Sequence, residues 1–234
     1  MTDTYKLILW GKPRKCSIDC QAEQVFNIFM RLNKIVYLKP KYQTVRRKRE
    51  AVEFDLTLEN VENLIIDKRD NQFPDLGSLI SFFTSLNDKD SAGISISIGV
   101  SDNKFVNSIV IDLNRDYKKM ELNKYNELES LFKDLIVLFA PFYGCITSMR
   151  NSSMFEKYYD DINHKPSSVF DMNFWGQEVL KNLKIDNEVL SKVYTYQKIN
   201  NGLFIRLQKE PLDISNISLM EWQKDLNNLV GLGK

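Results

Sequence analysis

Two neighbouring segments of this chain alternate apolar and polar residues over most of their length. The first reads I-S-I-S-I-G-V at positions 94–100, and the second reads F-V-N-S-I-V-I-D-L at positions 105–113. A polar tetrapeptide, S-D-N-K, separates them. Alternation of this kind on both sides of a short polar turn predicts a β-hairpin with one buried face. The rest of the chain must therefore supply a cover for one face of an antiparallel sheet.

Apolar residues that recur every three or four positions predict the helices that provide this cover. Such stripes occupy residues 22–36, 76–86, 125–139 and 219–229. Ser17 or Asp19 could cap the first helix, and Asp75 is well placed to cap the second. Ser218 and Glu221 have the spacing of a capping box at the start of the last helix.

Further strands are predicted on both sides of these helices. Residues 5–10 form an apolar run, and residues 52–58 alternate apolar and acidic side chains. Asn201 and Gly202 predict the type I′ turn of a second hairpin, and residues 174–183 suggest a short helix. The sequence thus predicts an α+β fold, with a mostly antiparallel sheet built from hairpins and covered by amphipathic helices. We expect one domain over residues 1–234, which could subdivide near residues 149–170.

The charge balance argues against a dedicated nucleic-acid-binding domain. Lys and Arg number 32 and Asp and Glu number 31, whereas such domains usually carry a clear positive excess. No signal peptide and no run long enough to span a membrane is recognisable, so we expect a cytoplasmic protein. Three cysteines is an odd number whose spacing predicts no disulfide framework, which favours reduced thiols.

The residues that could carry chemistry do not form a convincing site. His164 is the one histidine and falls in a predicted loop. Cys16, Cys20, Cys145 and His164 have the composition of a Cys₃His zinc site, but they lack its usual pair of tight dyads. No phosphate-binding, nucleotide-binding or nucleophile-elbow motif is present. We therefore expect no enzyme activity, no catalytic residues, no metal and no cofactor.

A loop rich in tyrosine and aspartate is one candidate for binding a partner protein. Tyr158, Tyr159, Asp160 and Asp161 are adjacent in the predicted long connection. Tyrosine buries much area at a low entropic cost, and acids attract a basic partner. The alternative is a solvated loop whose tyrosines pack on the core.

A basic run is the second candidate. Six cations fall between Lys39 and Arg49, and Arg46, Arg47 and Arg49 are its densest part. These side chains could contact a partner protein, or they could bind nucleic acid, with Tyr37 and Tyr42 available for stacking. They could equally be solvated or paired with the acids that follow in residues 50–75.

Several stretches together resemble the Immunity protein 52 family of bacterial polymorphic-toxin systems. They are L-I-L-W-G-K-P-R-K-C-S near the start, S-I-S-I-G-V and N-S-I-V-I-D-L in the middle, F-A-P-F-Y-G-C-I-T, N-F-W-G-Q-E-V-L, and N-G-L-F-I-R-L before the final helix. The resemblance implies a non-catalytic cytoplasmic inhibitor that protects its maker by binding a cognate toxin domain. It carries no fixed set of binding residues over to this chain. The alternative function is a nucleic-acid-associated protein that uses residues 39–49.

Overall fold

The computed structural model describes residues 4–44, 51–87, 91–113, 121–154, 158–160 and 165–232. Twelve strands, seven α-helices and two short 3₁₀ helices, Val36–Leu38 and Pro74–Leu76, are present in this part of the chain. The strands are β1 (Tyr5–Gly11), β2 (Tyr42–Thr44), β3 (Ala51–Glu53), β4 (Ser78–Phe83), β5 (Ala92–Ile98), β6 (Asn107–Leu113), β7 (Tyr143–Ser148), β8 (Tyr159–Asp160), β9 (Lys165–Pro166), β10 (Met172–Trp175), β11 (Thr195–Ile199) and β12 (Gly202–Arg206). The helices are α1 (Ile18–Leu32), α2 (Leu58–Lys68), α3 (Leu122–Phe139), α4 (Met149–Ser152), α5 (Gln177–Leu180), α6 (Asn187–Ser191) and α7 (Ile217–Leu229).

Ten of these strands form one sheet, in the order β11-β12-β10-β7-β1-β6-β5-β4-β2-β3. The hairpins β2–β3, β4–β5, β5–β6 and β11–β12 are antiparallel, as are the pairs β2–β4, β7–β10 and β10–β12. Strands β8 and β9 form a separate antiparallel pair. The predicted α+β class, with a mostly antiparallel sheet and helices, is therefore confirmed.

The chain divides into two compact units that are not consecutive segments. The N-terminal unit comprises Ile8–Asn114 and Leu138–Ala140. The C-terminal unit comprises Met1–Leu7, Arg115–Val137 and Pro141–Lys234. Residues 149–170 lie wholly within the C-terminal unit. The single-domain organisation stays a prediction.

In the N-terminal unit, helices cover one face of the strands. The inward side chains of β5 and β6 alternate with half-buried or exposed ones, as the sequence predicted. Phe29 of α1 meets Phe82 of β4 edge-on at 4.8 Å, and α1 also packs against α2. Ser17 caps α1 by accepting a hydrogen bond from the Cys20 amide, which confirms one of the two predicted caps. Burial of aliphatic side chains on this face, at about 1.5–3 kcal/mol each, stabilises the unit.

The predicted helix at residues 76–86 is wrong, because this segment forms β4. Six consecutive residues of β4 pair with β5, and alternate side chains point to opposite faces. Ser78, Ile80 and Phe82 are buried, whereas Leu79 and Phe83 are exposed. The apolar positions happen to fit a helical spacing as well, and the long-range pairing with β5 decides between the two structures.

The strand predicted at residues 52–58 is shorter than expected, and a helix follows it that the sequence analysis missed. Strand β3 ends at Glu53 and α2 begins at Leu58. Thr57 caps α2 by accepting a hydrogen bond from the Asn60 amide at 3.1 Å. Val61, Leu64 and Ile65 are its buried side chains. A residue that can cap a helix, followed by apolar residues at helical spacing, was the feature of the sequence that indicates α2.

The C-terminal unit has a densely buried set of strands. Every residue of β7, β10 and β12 is buried, and α3 contributes Phe132, whose ring meets Phe204 of β12 at 6.1 Å. From α7, the Gln223 side chain donates to the Val169 carbonyl at 2.7 Å. Asn227 Oδ1 accepts from the Val169 amide at 2.8 Å. The helix predicted at residues 125–139 is confirmed as α3.

Three local predictions in the C-terminal unit need correction. The hairpin turn is Asn200-Asn201, one residue earlier than predicted, because Ile199 pairs with Gly202. Asn200 supplies the positive φ of 49°, and Gly202 lies against the Phe174 ring, which a Cβ atom would approach within 2.4 Å. Helix α7 is capped by Asn216 rather than by the predicted Ser218 box. Within residues 174–183, only Gln177–Leu180 are helical, since β10 extends to Trp175.

Candidate functional site

The two tyrosines of the Tyr-Asp loop pack against other aromatic side chains of the C-terminal unit. Tyr159 stacks on Tyr143 with ring centroids 5.3 Å apart, and it meets Phe142 edge-on at 5.4 Å. Tyr158 lies 6.0 Å from Phe170. Both tyrosines are half-buried, so part of each ring is committed to packing. Their role in partner binding stays a prediction.

The aspartates of the same loop are described only in part. Asp160 lies in β8 and is the register partner of Lys165 in β9. Asp161 lies outside the described residues, as does His164. Tyr159 and Asp160 form β8, and Tyr158 directly precedes it.

The described part of the basic run directly precedes β2. Lys39 and Lys41 are exposed, and the Lys41 amide donates to the Phe83 carbonyl at 3.0 Å. Thr44 of β2 is the register partner of Ala51 of β3. Arg46, Arg47 and Arg49 lie outside the described residues. Their role in binding stays a prediction.

Cys16 and Cys20 form a disulfide bond, so the expectation of reduced thiols is wrong for this pair. Their Cα atoms are 6.0 Å apart, within the usual span of about 4.4–6.8 Å. Cys16 precedes the cap residue Ser17, and Cys20 lies in the first turn of α1, which brings the two side chains to the same side. Disulfides persist mainly in oxidising compartments. This disulfide therefore gives no support to the cytoplasmic location, which stays a prediction.

The disulfide lines an open cleft of about 370 Å³ in the N-terminal unit. The Arg14 guanidinium donates to Gln24 Oε1, and Gln24 Nε2 donates to the Leu138 carbonyl at 2.9 Å. Lys15, Glu23 and Asn27 complete its polar lining. Cationic and anionic side chains are mixed here, so the cleft does not favour one class of small ligand by charge.

Cys145 is buried in the C-terminal unit and is poorly suited to act as a nucleophile. Burial raises the pKa of its thiol, and a hydrogen bond with Tyr143 lowers it. The negative charge of Asp171 raises it further, and the net effect is a raised pKa. The pKa of Tyr143 is also raised, mainly by burial. Asp171 Oδ1 accepts hydrogen bonds from Tyr5 Oη at 2.9 Å and from the Leu212 amide at 2.7 Å. These buried polar groups are thus engaged with one another.

A buried arginine ties α3 to β12 in the same unit. Arg206 is 2% exposed, and its guanidinium donates to Glu129 Oε2 at 2.5 Å and to Asn126 Oδ1 at 2.8 Å. It also lies over the Tyr125 and Tyr194 rings, 4.2 and 5.1 Å from their centroids. Each of the three guanidinium nitrogens donates to a protein oxygen, so the charged group is engaged within the protein.

An exposed surface that the sequence analysis did not identify lies on the outer side of α2 and the loop that follows it. Ile66, Phe73 and Leu76 are 52%, 60% and 40% exposed. The neighbouring acids are Asp55, Glu59, Glu62, Asp67, Asp70 and Asp75. In the sequence this acidic excess indicates only a counterweight to the basic run, because the exposure of the apolar side chains depends on tertiary packing. We call this surface the acidic–apolar face.

The described residues contain no cluster of three or more His, Cys, Asp or Glu side chains with the geometry to hold a metal ion. Their helices include none with the length and apolar character needed to cross a membrane.

Neither a protein-family model nor a curated protein matches the sequence. Among solved structures, the fold is similar to that of a Pseudomonas aeruginosa protein described as T6SS protein PA0821. The TM-score is 0.67 at 10% sequence identity, and the likeness covers 97% of this chain and 72% of the other. At this identity the likeness shows a common fold alone. Membership of the Immunity protein 52 family stays a prediction.

Proposed function

We propose that this chain is a non-catalytic immunity protein that binds and neutralises a cognate secreted toxin domain in the bacterial cytoplasm. The observation that carries the proposal is the fold shared, over 97% of this chain, with a protein described as a T6SS protein. A relation to bacterial secretion systems agrees with the resemblance to the Immunity protein 52 family. Both point to competition between bacteria.

The chemistry of the described side chains supports binding rather than catalysis. The thiol of Cys145 is held protonated by burial, and Cys16 and Cys20 are bonded to each other. The charged groups of Arg206 and Glu129 satisfy one another. By contrast, large apolar side chains such as Phe73 are exposed in a folded region, which is typical of protein-binding surfaces.

Growth rescue is the direct test of this function. Secreted effector domains encoded in the same genome would be expressed one at a time in a bacterial host, and those that arrest growth would be retained. Co-expression of this chain is expected to restore growth against one of them, because an immunity protein acts on its cognate toxin.

The other growth-arresting domains serve as the specificity control, and an unfolded variant of this chain serves as the expression control. Failure to rescue growth against every such domain, with the chain folded and abundant, would contradict the proposed function.

A further inference from the structure

We propose that the acidic–apolar face is the surface that binds the toxin, and that it recognises a positively charged protein surface with an apolar recess. This inference rests on the proposed function and names the contact surface. The face consists of the outer side of α2, of Asp55 just before this helix, and of the loop at residues 70–77. Its anchors are Ile66, Phe73 and Leu76. Its acids are Asp55, Glu59, Asp67, Asp70 and Asp75, together with the half-buried Glu62.

The outer side of α2 follows from which of its residues are buried. Val61, Leu64 and Ile65 face the interior. At 100° per residue, the direction opposite to them is occupied by Glu59, Asn63 and Ile66. Glu59 and Asn63 are exposed, and Ile66 is 52% exposed. An isoleucine therefore projects outward beside polar and acidic residues on the solvent side of the helix.

The loop after α2 is held in place by hydrogen bonds at both ends. Asp70 Oδ1 accepts from the Gln72 amide at 2.8 Å and from the Phe73 amide at 3.2 Å. Arg69 Nη2 donates to the Pro74 carbonyl at 3.1 Å. The loop thus has a defined start that fixes the position of Phe73.

The other end of the loop is fixed by the turn at residues 101–106. The Ser101 amide donates to the Asp75 carbonyl at 2.9 Å, and Ser101 Oγ donates to Asp75 Oδ1 at 2.5 Å. Gly77 follows with φ of 70°, a conformation that other residues rarely adopt. The same turn carries Phe105, which is 49% exposed.

A fixed backbone with exposed aromatic side chains has the properties of an interface anchor. Binding to a preformed loop loses little conformational entropy, so more of the contact energy appears as affinity. Aromatic residues that fill a partner's pocket commonly dominate the binding energy of an interface. Phe73 is 60% exposed on such a loop, and its removal leaves no hole in the core.

The charge of the face determines the kind of partner. Residues 55–76 contain six acids and two cations, Lys68 and Arg69. The Lys68 side chain is 14% exposed and lies 3.7 Å from Asp67, while Arg69 donates to Pro74. The exposed charge is therefore mostly negative, which attracts a basic protein surface and repels the phosphates of nucleic acid.

The test measures the affinity of the purified full chain for the effector domain that it protects against, by titration calorimetry. Phe73→Ala is expected to weaken binding about thirtyfold or more, as loss of an anchor does. A Glu59→Lys/Glu62→Lys variant is expected to weaken binding at least about tenfold and to slow association. Thermal unfolding of Phe73→Ala is expected to match that of the wild type, because Phe73 is exposed. The double variant is expected to unfold at a slightly lower temperature, because Glu59 lies in the first turn of α2, where an acid is favourable, and Glu62 is half-buried.

Matched controls lie on the C-terminal unit. Tyr196→Ala removes an aromatic side chain that is 51% exposed, and Glu127→Lys reverses an exposed acid on α3. Both are expected to bind as the wild type does. If the wild type binds, and Phe73→Ala and the Glu59→Lys/Glu62→Lys variant bind with the same affinity, the proposed surface is wrong although the function stands. Absence of wild-type binding would overturn the function, and the surface proposal with it.

Discussion

At the scale of single residues, Arg206 shows how a charged side chain can be buried without serving a ligand. Its guanidinium contacts two side-chain oxygens and two aromatic rings, and its Nε donates to the Gln208 carbonyl at 3.0 Å. Glu129 also pairs with Lys133 at 2.6 Å. Removing one member of such a buried network leaves the others desolvated and incompletely paired.

Arg206→Ala is therefore expected to lower the free energy of unfolding by about 3 kcal/mol, measured by urea denaturation. Lys124→Ala is the matched control, since Lys124 is 40% exposed and lies 3.9 Å from Glu121. Exposed pairs contribute about 0–1 kcal/mol. Equal losses for the two variants would contradict the structural role given to Arg206.

The same network predicts how stability changes with pH. Burial raises the pKa of Glu129, but hydrogen bonds from Lys133 and Arg206 and their positive charges outweigh it, so the pKa lies below the ordinary 4.5. A lowered folded pKa means that the stabilisation is fully present above the ordinary value and is lost as pH falls through the folded pKa. Thermal unfolding of Glu129→Gln should therefore change less with pH than that of the wild type below pH 4.5. If the unfolding temperatures of the variant and the wild type change equally with pH in this range, the pKa of Glu129 is not lowered.

Cysteine labelling tests the disulfide and the buried thiol together. Iodoacetamide is expected to label no cysteine of the folded, oxidised protein, because Cys16 and Cys20 are bonded and Cys145 is buried. After a thiol reductant, two labels are expected, on Cys16 and Cys20. Cys145 should react only in denaturant, and mass spectrometry locates each label. Labelling of Cys145 in the folded protein would contradict its high pKa and burial.

At the scale of elements, Gly77 connects the loop of the acidic–apolar face to β4. A Cβ atom at this position would lie 2.3 Å from the Ile98 carbonyl oxygen and 2.7 Å from the Val100 amide nitrogen, and φ is 70°. Backbone atoms cannot move aside as a flexible side chain can. The conformation of the loop therefore depends on the absence of a side chain here.

Gly77→Ala is expected to lower the free energy of unfolding by more than about 1 kcal/mol, as measured by denaturant titration. Gly93→Ala is the control within the same sheet, because its Cβ would meet nothing closer than Asp112 Cβ at 3.9 Å. That change should be neutral or stabilise by about 0.4–1 kcal/mol. A neutral Gly77→Ala would show that the loop is not held as described.

Elements with a single consistent period could be predicted from the sequence. The hairpin of β5 and β6 and helix α3 have such patterns, and their side chains alternate or repeat as expected. The apolar residues of 76–86 fit the spacing of a helix as well as that of a strand, and only the pairing of β4 with β5 selects the strand. The disulfide was missed because Cys16 and Cys20 are brought together locally by the cap of α1 rather than by a framework of spaced pairs.

The candidate surface was harder to predict than the fold, for a physical reason. The acids of residues 50–75 are visible in the sequence, but an exposed Phe73 cannot be told from a core phenylalanine by its neighbours. Its exposure follows from the conformation of the loop, in which the Phe73 amide donates to Asp70 Oδ1, the Arg69 guanidinium donates to the Pro74 carbonyl, and the Ser101 amide donates to the Asp75 carbonyl. Tyr158 and Tyr159 show the opposite case, since their rings are partly committed to packing.

At the scale of the whole molecule, the fold and the distribution of charge bear on the proposed function. The fold is similar to that of a T6SS protein over 97% of this chain, and the chain has a nearly balanced charge with a local acidic excess around α2. A basic partner that meets this face would be attracted at long range and held by apolar contacts. Binding to nucleic acid would instead require the positive charge of residues 39–49 to outweigh the negative charge around α2.

The most direct test of the central claim is a calorimetric titration of the wild-type protein with each effector domain that arrests growth, at about 150 mM salt, where exposed charges are largely screened. We expect a saturable complex with one of these domains, and no binding to DNA or RNA of mixed sequence under the same conditions. Absence of binding to every such domain, or salt-sensitive binding to nucleic acid alone, would contradict the proposed function.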